Sequence, residues 1–306
     1  MNKGEMTSDG VIAFRGFNVW YGIAGERDAP GKIPLLVVHG GPGLPHDALE
    51  PLARLAATDR RVIFYDQLGC GNSDRPADPT LYSIDLFVEE LGVIRESLDL
   101  TTVHLLGHSY GGPLCLQYVL TQHPEGLASL ILSDTFASVP ALVAGWNGLR
   151  AHFPREIREI MERHEAAGTT DSEEYQAAMD EYFIAQHVLT VPPPEGLIRA
   201  QQKMNTDVYR ALHGPSWFEA TGEYATWDVT NRLHEITAPT LVIAGRHDQC
   251  VPELSESIHR EIVDSSLAIL ENSSHVPFIE QPDMYDALVI DFMDRVEESR
   301  ALDSHG

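Results

Sequence analysis

Val103-His104-Leu105-Leu106-Gly107-His108-Ser109-Tyr110-Gly111-Gly112-Pro113-Leu114 decides the fold. Val103–Leu106 is a short apolar run of the kind that forms a strand buried on both faces of a sheet. The next five residues are a G-x-S-x-G turn, and a helix-compatible stretch follows directly. A serine at the tip of so tight a turn has a strained backbone, and side chains two residues to either side would clash. Gly107 and Gly111 remove those clashes and leave the hydroxyl exposed above the strand ends. The N-terminus of the following helix then offers free amides and a positive dipole end to a developing oxyanion.

Similar apolar runs, bounded by turn residues, recur on both sides: Leu35–Val38, Val62–Tyr65, Leu130–Leu132, Leu241–Ala244 and Leu267–Leu270. Amphipathic stretches lie between them, at Ile84–Leu98, Tyr110–Gln122 and Leu254–Val263. That alternation predicts an α/β fold with a mostly parallel, doubly wound sheet. The looser alternation around Val11–Trp20 predicts antiparallel edge strands. From about Ala137 to Val229 the rhythm breaks and the chain turns helix-like, aromatic and charged, with Pro192, Pro193 and Pro194 inside. The expected organisation is a core domain of residues 1–136 and 230–306 with a helical cap of 137–229. A long insertion over the carboxyl ends of strands would roof a substrate site.

A serine nucleophile needs a base, and in a strand–turn–helix setting of this kind the acid and then the base follow it in the chain. Asp248 comes three residues after the strand-like TLVIAG, and His275 follows LAILE, so both fall in loops at the elbow's edge of the sheet. Ser109 is therefore the candidate nucleophile, His275 the general base and Asp248 the acid that fixes its tautomer. Asp134, just after LASLILS, is the competing position for the acid. Of the other histidines, His39 and His108 flank critical glycines and read as structural or pocket-shaping. His104 lies in a strand and His247 abuts the acid. His123, His152, His164, His213 and His234 read as surface or cap residues. His39-Gly40-Gly41-Pro42-Gly43, after LLVV, lets the backbone approach a ligand, so the amides of Gly41 and Tyr110 are the expected oxyanion pair. No Lys-Ser/Thr follows these glycines, so the loop is not a phosphate cradle. In Asp66–Asp74, the two aspartates invite a metal reading, but the glycines and Asn72 favour a structural turn.

Composition bounds the partners. The 306 residues carry 46 acidic against 21 basic side chains, a formal charge of -25. Such a surface repels nucleic acid and anionic membranes and would favour cationic or amine-bearing substrates. Cys70, Cys115 and Cys250 make neither a disulfide framework nor a zinc pattern. The opening MNKGEMTSDG has no apolar leader core, and no segment approaches the roughly 20 apolar residues of a membrane span. A soluble cytoplasmic protein without metal or cofactor is the expectation, its oligomeric state open.

Taken together, HGGPG, YDQLGCGNSDRP, GHSYGG, the Asp248 loop and SSH resemble the proline iminopeptidase family of α/β-hydrolases, over about Ile33 to Val296. The end of the cap, MNTDVYRALHGPSWF…WDVTNRLHEITAPTL, is similar too. The resemblance implies an α/β-hydrolase fold and a cofactor-free cytoplasmic enzyme that releases proline or another small N-terminal residue from peptides or amides. It also implies Gly41 and Tyr110 as the oxyanion pair. One position departs from it. Many relatives carry a glutamate, which grips the substrate amine, where Gly214-Pro215-Ser216-Trp217-Phe218 places Trp217. An indole offers only a cation–π face in its place. Glu219, Glu223 or Glu195 would have to supply a carboxylate; otherwise the pocket would prefer a larger apolar acyl group. Trp217, Glu219, Trp146 and Phe183 are the candidate substrate-binding residues, with Phe153 and Trp227 as further candidates for the pocket wall, although cap packing explains the aromatics equally well. The alternatives are a carboxylesterase or lactonase with the same triad, and a ligand-binding protein that keeps the fold without turnover.

Overall fold

The computed structural model describes residues 5–184, 189 and 192–303, without the side chains of 183, 184 and 303. The chain opens with a hairpin, β1 (Met6–Phe14) and β2 (Phe17–Ala24). Its two-residue turn, Arg15 and Gly16, has φ of 48° and 87°. Positive φ at both positions matches the right-handed twist of the flanking strands. These are the antiparallel edge strands expected near Val11–Trp20, and β2 joins the sheet antiparallel to β4.

The remaining strands are parallel: β3 (Leu35–Val38), β4 (Val62–Tyr65), β5 (Val103–His108), β6 (Leu127–Ser133), β7 (Thr240–Gly245) and β8 (Ser265–Leu270). They lie in the order β1-β2-β4-β3-β5-β6-β7-β8, so β5 stands at the centre between β3 and β6. Every residue of β3, β4 and β5 is buried, which is why each reads as an unbroken apolar run rather than an alternation. Alternate residues nonetheless serve different layers. Leu36, Val38, Ile63, Tyr65 and Leu105 face one core, with α1 (Ile84–Ser97) and α2 (Gly111–Gln122). Leu35, Val37, Val62, Phe64 and Leu106 face the other.

Between β6 and β7 the chain forms the helical insertion: α3 (Val139–Arg150), α4 (Arg155–Ala167), α5 (Glu173–Met179), α6 (Glu195–Lys203) and α7 (Thr206–Leu212). Its two stems are zipped together. Val139 donates to the Trp227 carbonyl and Val229 to that of Ala137, both at 2.9 Å. Ser138, Ser172 and Asn205 cap α3, α5 and α7 through their side-chain oxygens, each such cap contributing about 1 kcal/mol. Trp146, Met161, Tyr175 and Leu212 belong to the same apolar cluster as α1 and α2, so the cap is seated on the sheet domain. The chain ends with α8 (Pro252–Glu261), the single turn α9 (Pro277–Glu280) and α10 (Pro282–Asp303), the last packed on the second face. Among the described residues no helix is long and apolar enough to cross a membrane.

Candidate active site

Ser109 stands at the carboxyl end of β5 with φ of 54°, in the left-handed region. That conformation is costly for a residue with a Cβ, so the surroundings must hold it. The Ser109 amide donates to the Ser133 carbonyl at 3.0 Å. Its carbonyl accepts from the Gly112 amide at 2.9 Å and from the Thr135 hydroxyl at 2.6 Å. The glycines are required by contact. A Cβ on Gly107 would lie 2.5 Å from the Gly111 carbonyl oxygen, and one on Gly111 would lie 2.1 Å from that of Val38.

The glycine-rich loop after β3 presses on the serine. A Cβ on Gly40 would sit 2.6 Å from Ser109 Cβ and 3.2 Å from its Oγ. Gly41 follows with φ of 125° and a cis peptide to Pro42. Tyr110 is the N-cap of α2, so its amide belongs to the first turn, where helix amides have no intrahelical partner. Both expected oxyanion residues thus lie on the two segments that flank Ser109.

His39 fixes this loop. The Gln67 amide donates to His39 Nε2 at 2.9 Å, which assigns the proton to Nδ1, facing the Gly40 carbonyl at 3.0 Å. Burial pushes this imidazole down, keeping it neutral in spite of nearby Asp66. The Asp66–Asp74 segment is turn chemistry, as its glycines suggest. Asp66 accepts from the amides of His46 and Asn72 and from His46 Nδ1, each at 2.8 Å. Asp74 accepts from the Asn18 amide at 2.8 Å.

Asp248 and His275 lie in the loops after β7 and β8. His275 Nδ1–H donates to Asp248 Oδ1 at 2.6 Å. That bond leaves Nε2 with its lone pair free to take a proton. Asp248 Oδ1 also accepts the Cys250 amide at 2.9 Å. The His275 loop is tied to the elbow through His108, whose Nε2–H donates to the His275 carbonyl at 2.8 Å. Burial, with His275 beside it, pushes His108 down to about 3, so it acts as a neutral donor. Cys250 Sγ lies close to the Asp248 and His275 atoms. Burial, reinforced by Asp248 and Asp134, raises its thiol well above the ordinary range. A protonated thiol beside an Nδ1 and an Oδ1 that are bonded to each other is a poor donor set for a cation.

In the cap, ring contacts run from the elbow to position 217. Tyr110 stacks on Tyr224 at 5.6 Å, Tyr224 meets His213 at 5.6 Å, and His213 meets Tyr209 at 5.3 Å and Trp146 at 5.5 Å. Trp217 closes the group, 5.0 Å from Trp146 and 5.7 Å from Tyr209. His213, which reads in sequence as a surface or cap histidine, is wholly buried at the centre of these rings. Its Nδ1 is 3.0 Å from the Tyr224 hydroxyl, and burial pushes it down to about 4. Tyr209 and Tyr224 escaped the sequence reading because nothing in their spacing separates pocket wall from core. Trp227 instead faces the sheet domain, its Nε1–H donating to Gln117 at 3.0 Å. The Phe183 side chain lies outside the described residues.

The carboxylates suggested for the substrate amine are dispersed. Glu219 is exposed, Glu195 is 96% exposed, and Glu223 accepts from the Ile84 amide at the start of α1 at 3.2 Å. Glu165, which the sequence did not single out, touches the 214–218 segment by accepting from the Ser216 hydroxyl at 3.1 Å. Its charge is already matched by Arg150 at 2.8 Å. A concavity of about 740 Å³ near Leu127, Thr240 and Arg295 opens at the amino ends of the strands, opposite Ser109, and has no part in this site.

The α/β hydrolase fold family matches residues 33–282. The chain is 39% identical to the proline iminopeptidase of Heyndrickxia coagulans over 297 residues, covering 95% of this chain and 100% of that one. Among solved structures, VinJ superposes with a TM-score of 0.90 at 32% identity, covering 95% of this chain and 100% of VinJ. The proline iminopeptidase of Mycobacterium smegmatis gives a TM-score of 0.86 at 33% identity, covering 96% and 100%.

Proposed function

This chain belongs to the proline iminopeptidase family of the α/β-hydrolase fold, and we propose that it cleaves the amide or peptide bond after a small N-terminal aminoacyl group, through an acyl-enzyme on Ser109. The observation that carries the reading is the 2.6 Å bond between His275 and Asp248, in a loop that His108 fastens to the strained serine. His275 Nε2 takes the hydroxyl proton as Ser109 Oγ attacks the carbonyl carbon. The amides of Gly41 and Tyr110 receive the oxyanion. His275 then gives its proton to the departing amine nitrogen. Water, deprotonated by the same imidazole, hydrolyses the ester and restores Ser109.

The substrate in this reading is a small molecule or short peptide with a free amine. The charge of -25 draws cations toward the protein. At position 217 an ammonium meets an indole and its aromatic neighbours, worth about 0.5–2 kcal/mol as cation–π contacts. Trp217 and the dispersal of Glu195, Glu219 and Glu223 also favour a second reading, an esterase or lactonase for apolar acyl groups.

Hydrolysis of L-prolyl and L-alanyl anilides, their N-acetylated forms and a short p-nitrophenyl ester separates the two. Free-amine anilides cleaved much faster than the blocked ones establish the aminopeptidase-type amidase. Rapid ester turnover with all anilides inert overturns it in favour of the esterase.

A further inference from the structure

Two carboxyl groups are buried together behind the base. Asp134 is 0% exposed and Asp248 2%. Asp134 follows the last residue of β6 with φ of 52°, a left-handed conformation that marks a position held by its neighbours. The Gly245 amide donates to its Oδ1 at 2.9 Å, and the Ser133 hydroxyl lies 2.6 Å from its Oδ2. Asp248 spends Oδ1 on two donors, His275 Nδ1–H and the Cys250 amide. Its Oδ2 is buried and receives no N–H or hydroxyl from the described residues. Besides His275 and Cys250, Asp248 interacts side chain to side chain with Asp134.

A buried oxygen without a donor, beside a second carboxyl group, points to a shared proton. Two negative charges in contact in a dry volume repel strongly, and each is also short of solvation. One proton between them relieves the repulsion and supplies the missing donor. Each carboxyl group has two donors, His275 and Cys250 for Asp248, Gly245 and Ser133 for Asp134. The proton belongs on Asp134 because the imidazole that gains positive charge in the reaction is bonded to Asp248 and favours the charge there. Burial first, then the charge of Asp248, raise the Asp134 carboxyl well above the usual range, against the opposing bonds from Ser133 and Gly245. The other titratable groups around the pair are Cys250 and, on α10, Tyr285. Burial raises both, so neither carries charge. Arg54 and Asp286, beyond Tyr285, pair with each other at 2.7 Å.

We propose that Asp134 is a neutral carboxylic acid that donates its proton to Oδ2 of Asp248, holding that carboxylate by both oxygens for His275. It is a positioning residue and touches no reacting atom. The inference rests on Asp248 and His275 being acid and base, so one arm of the test needs no turnover.

That arm is infrared spectroscopy at neutral pH. The wild type minus Asp134→Asn difference spectrum should show a protonated-carboxyl C=O band, the contribution of buried Glu90 cancelling between the two. In kinetics on a cleaved substrate, the asparagine amide can replace the donated O–H, so the acid limb of kcat/KM should stay within about 0.2 pH unit even where kcat falls. Asp134→Leu removes the donor and should lower kcat about tenfold at unchanged KM, while moving the acid limb. Two results overturn the proposal: no carboxyl band together with an acid limb displaced by about half a unit or more in Asp134→Asn, as loss of a full charge demands, or a wild-type profile in Asp134→Leu. Should the leucine variant not fold, the band and the asparagine profile decide alone. Should Ser109 prove dispensable, the triad fails while the band still reports the proton.

Discussion

His108 Nε2 lies 2.8 Å from the carbonyl oxygen of His275, so the residue before Ser109 holds the loop that bears His275. This bond ties the His275 loop to the strand end that carries Ser109. His108→Ala should lower kcat on the order of 10- to 100-fold with KM little changed, because small misplacement of a reacting group is that costly. Steady-state kinetics on a cleaved substrate check it. A wild-type kcat would mean that the loop is held by other contacts.

The approach of Gly40 to Ser109 gives a second expectation. Gly40→Ala puts a Cβ 2.6 Å from Ser109 Cβ and 2.9 Å from the His108 carbonyl, at the elbow itself. Gly111→Ala puts one 2.1 Å from the Val38 carbonyl, where backbone meets backbone. Gly40→Ala should abolish turnover while costing about 1–3 kcal/mol of stability. Gly111→Ala should be the less stable of the two, since neither side of its clash can rotate away. Urea denaturation with parallel assays ranks them.

Buried imidazoles shape stability against pH. Burial pushes His213 down to about 4 and His108 to about 3, against about 6.5 for a free imidazole. Below about pH 6.5 the unfolded chain therefore binds a proton at each of these that the native state does not, and His39 and His104, also pushed down by burial, add to the same slope. Stability should be full above that pH and fall by about 1.4 kcal/mol per unit for each histidine as pH drops toward 4. Below about 4 His213 ceases to contribute to the slope. Glu297 adds to the acid side. Burial alone would raise its carboxyl, but the hydrogen bonds from His104 and the Ile33 amide, with the charge of Arg60, hold it down to about 2. Its contribution is present above about pH 4.3 and lost toward 2. Urea melts from pH 7 to 4, with His213→Gln lowering the proton uptake by one, test the assignment.

The cap is fastened beside the glycine-rich loop by a buried charge. The Asp47 side chain is 2% exposed and accepts from Lys203 at 2.8 Å and Arg199 at 3.2 Å, both on α6. Just beyond α6, the Asn205 amide donates to the Gly43 carbonyl at 2.9 Å. Lys203→Ala and Arg199→Ala should each cost less than about 1 kcal/mol, as the other cation remains. The double variant leaves Asp47 unpaired and should cost about 3–5 kcal/mol. A double-mutant cycle in urea measures the excess; simple additivity would contradict the latch.

Sequence legibility followed the physics of each region. Buried parallel strands appear as bare apolar runs, and the runs at Leu35–Val38 and Val62–Tyr65 coincide with β3 and β4 residue for residue. The nucleophile turn was legible because its glycines are forced by contact. The cap was legible only as a change of rhythm. Whether Trp146 or Tyr224 lines a pocket or fills a core depends on which helix faces it, and helical spacing carries no such information. His213 is the sharpest case: three rings surround it, and two of them, Trp146 and Tyr224, come from outside its own helix. Asp134 was visible as a competitor for the acid position, and the structure places it in contact with Asp248 instead of apart from it.

Ser109 as the site of the covalent intermediate is tested most directly by labelling with a fluorophosphonate followed by mass spectrometry of the intact protein and its peptides. One adduct is expected, on the peptide containing Ser109, with loss of hydrolysis in proportion to labelling and neither labelling nor hydrolysis in Ser109→Ala. Full hydrolytic activity in Ser109→Ala, or an adduct confined to another residue, would contradict it.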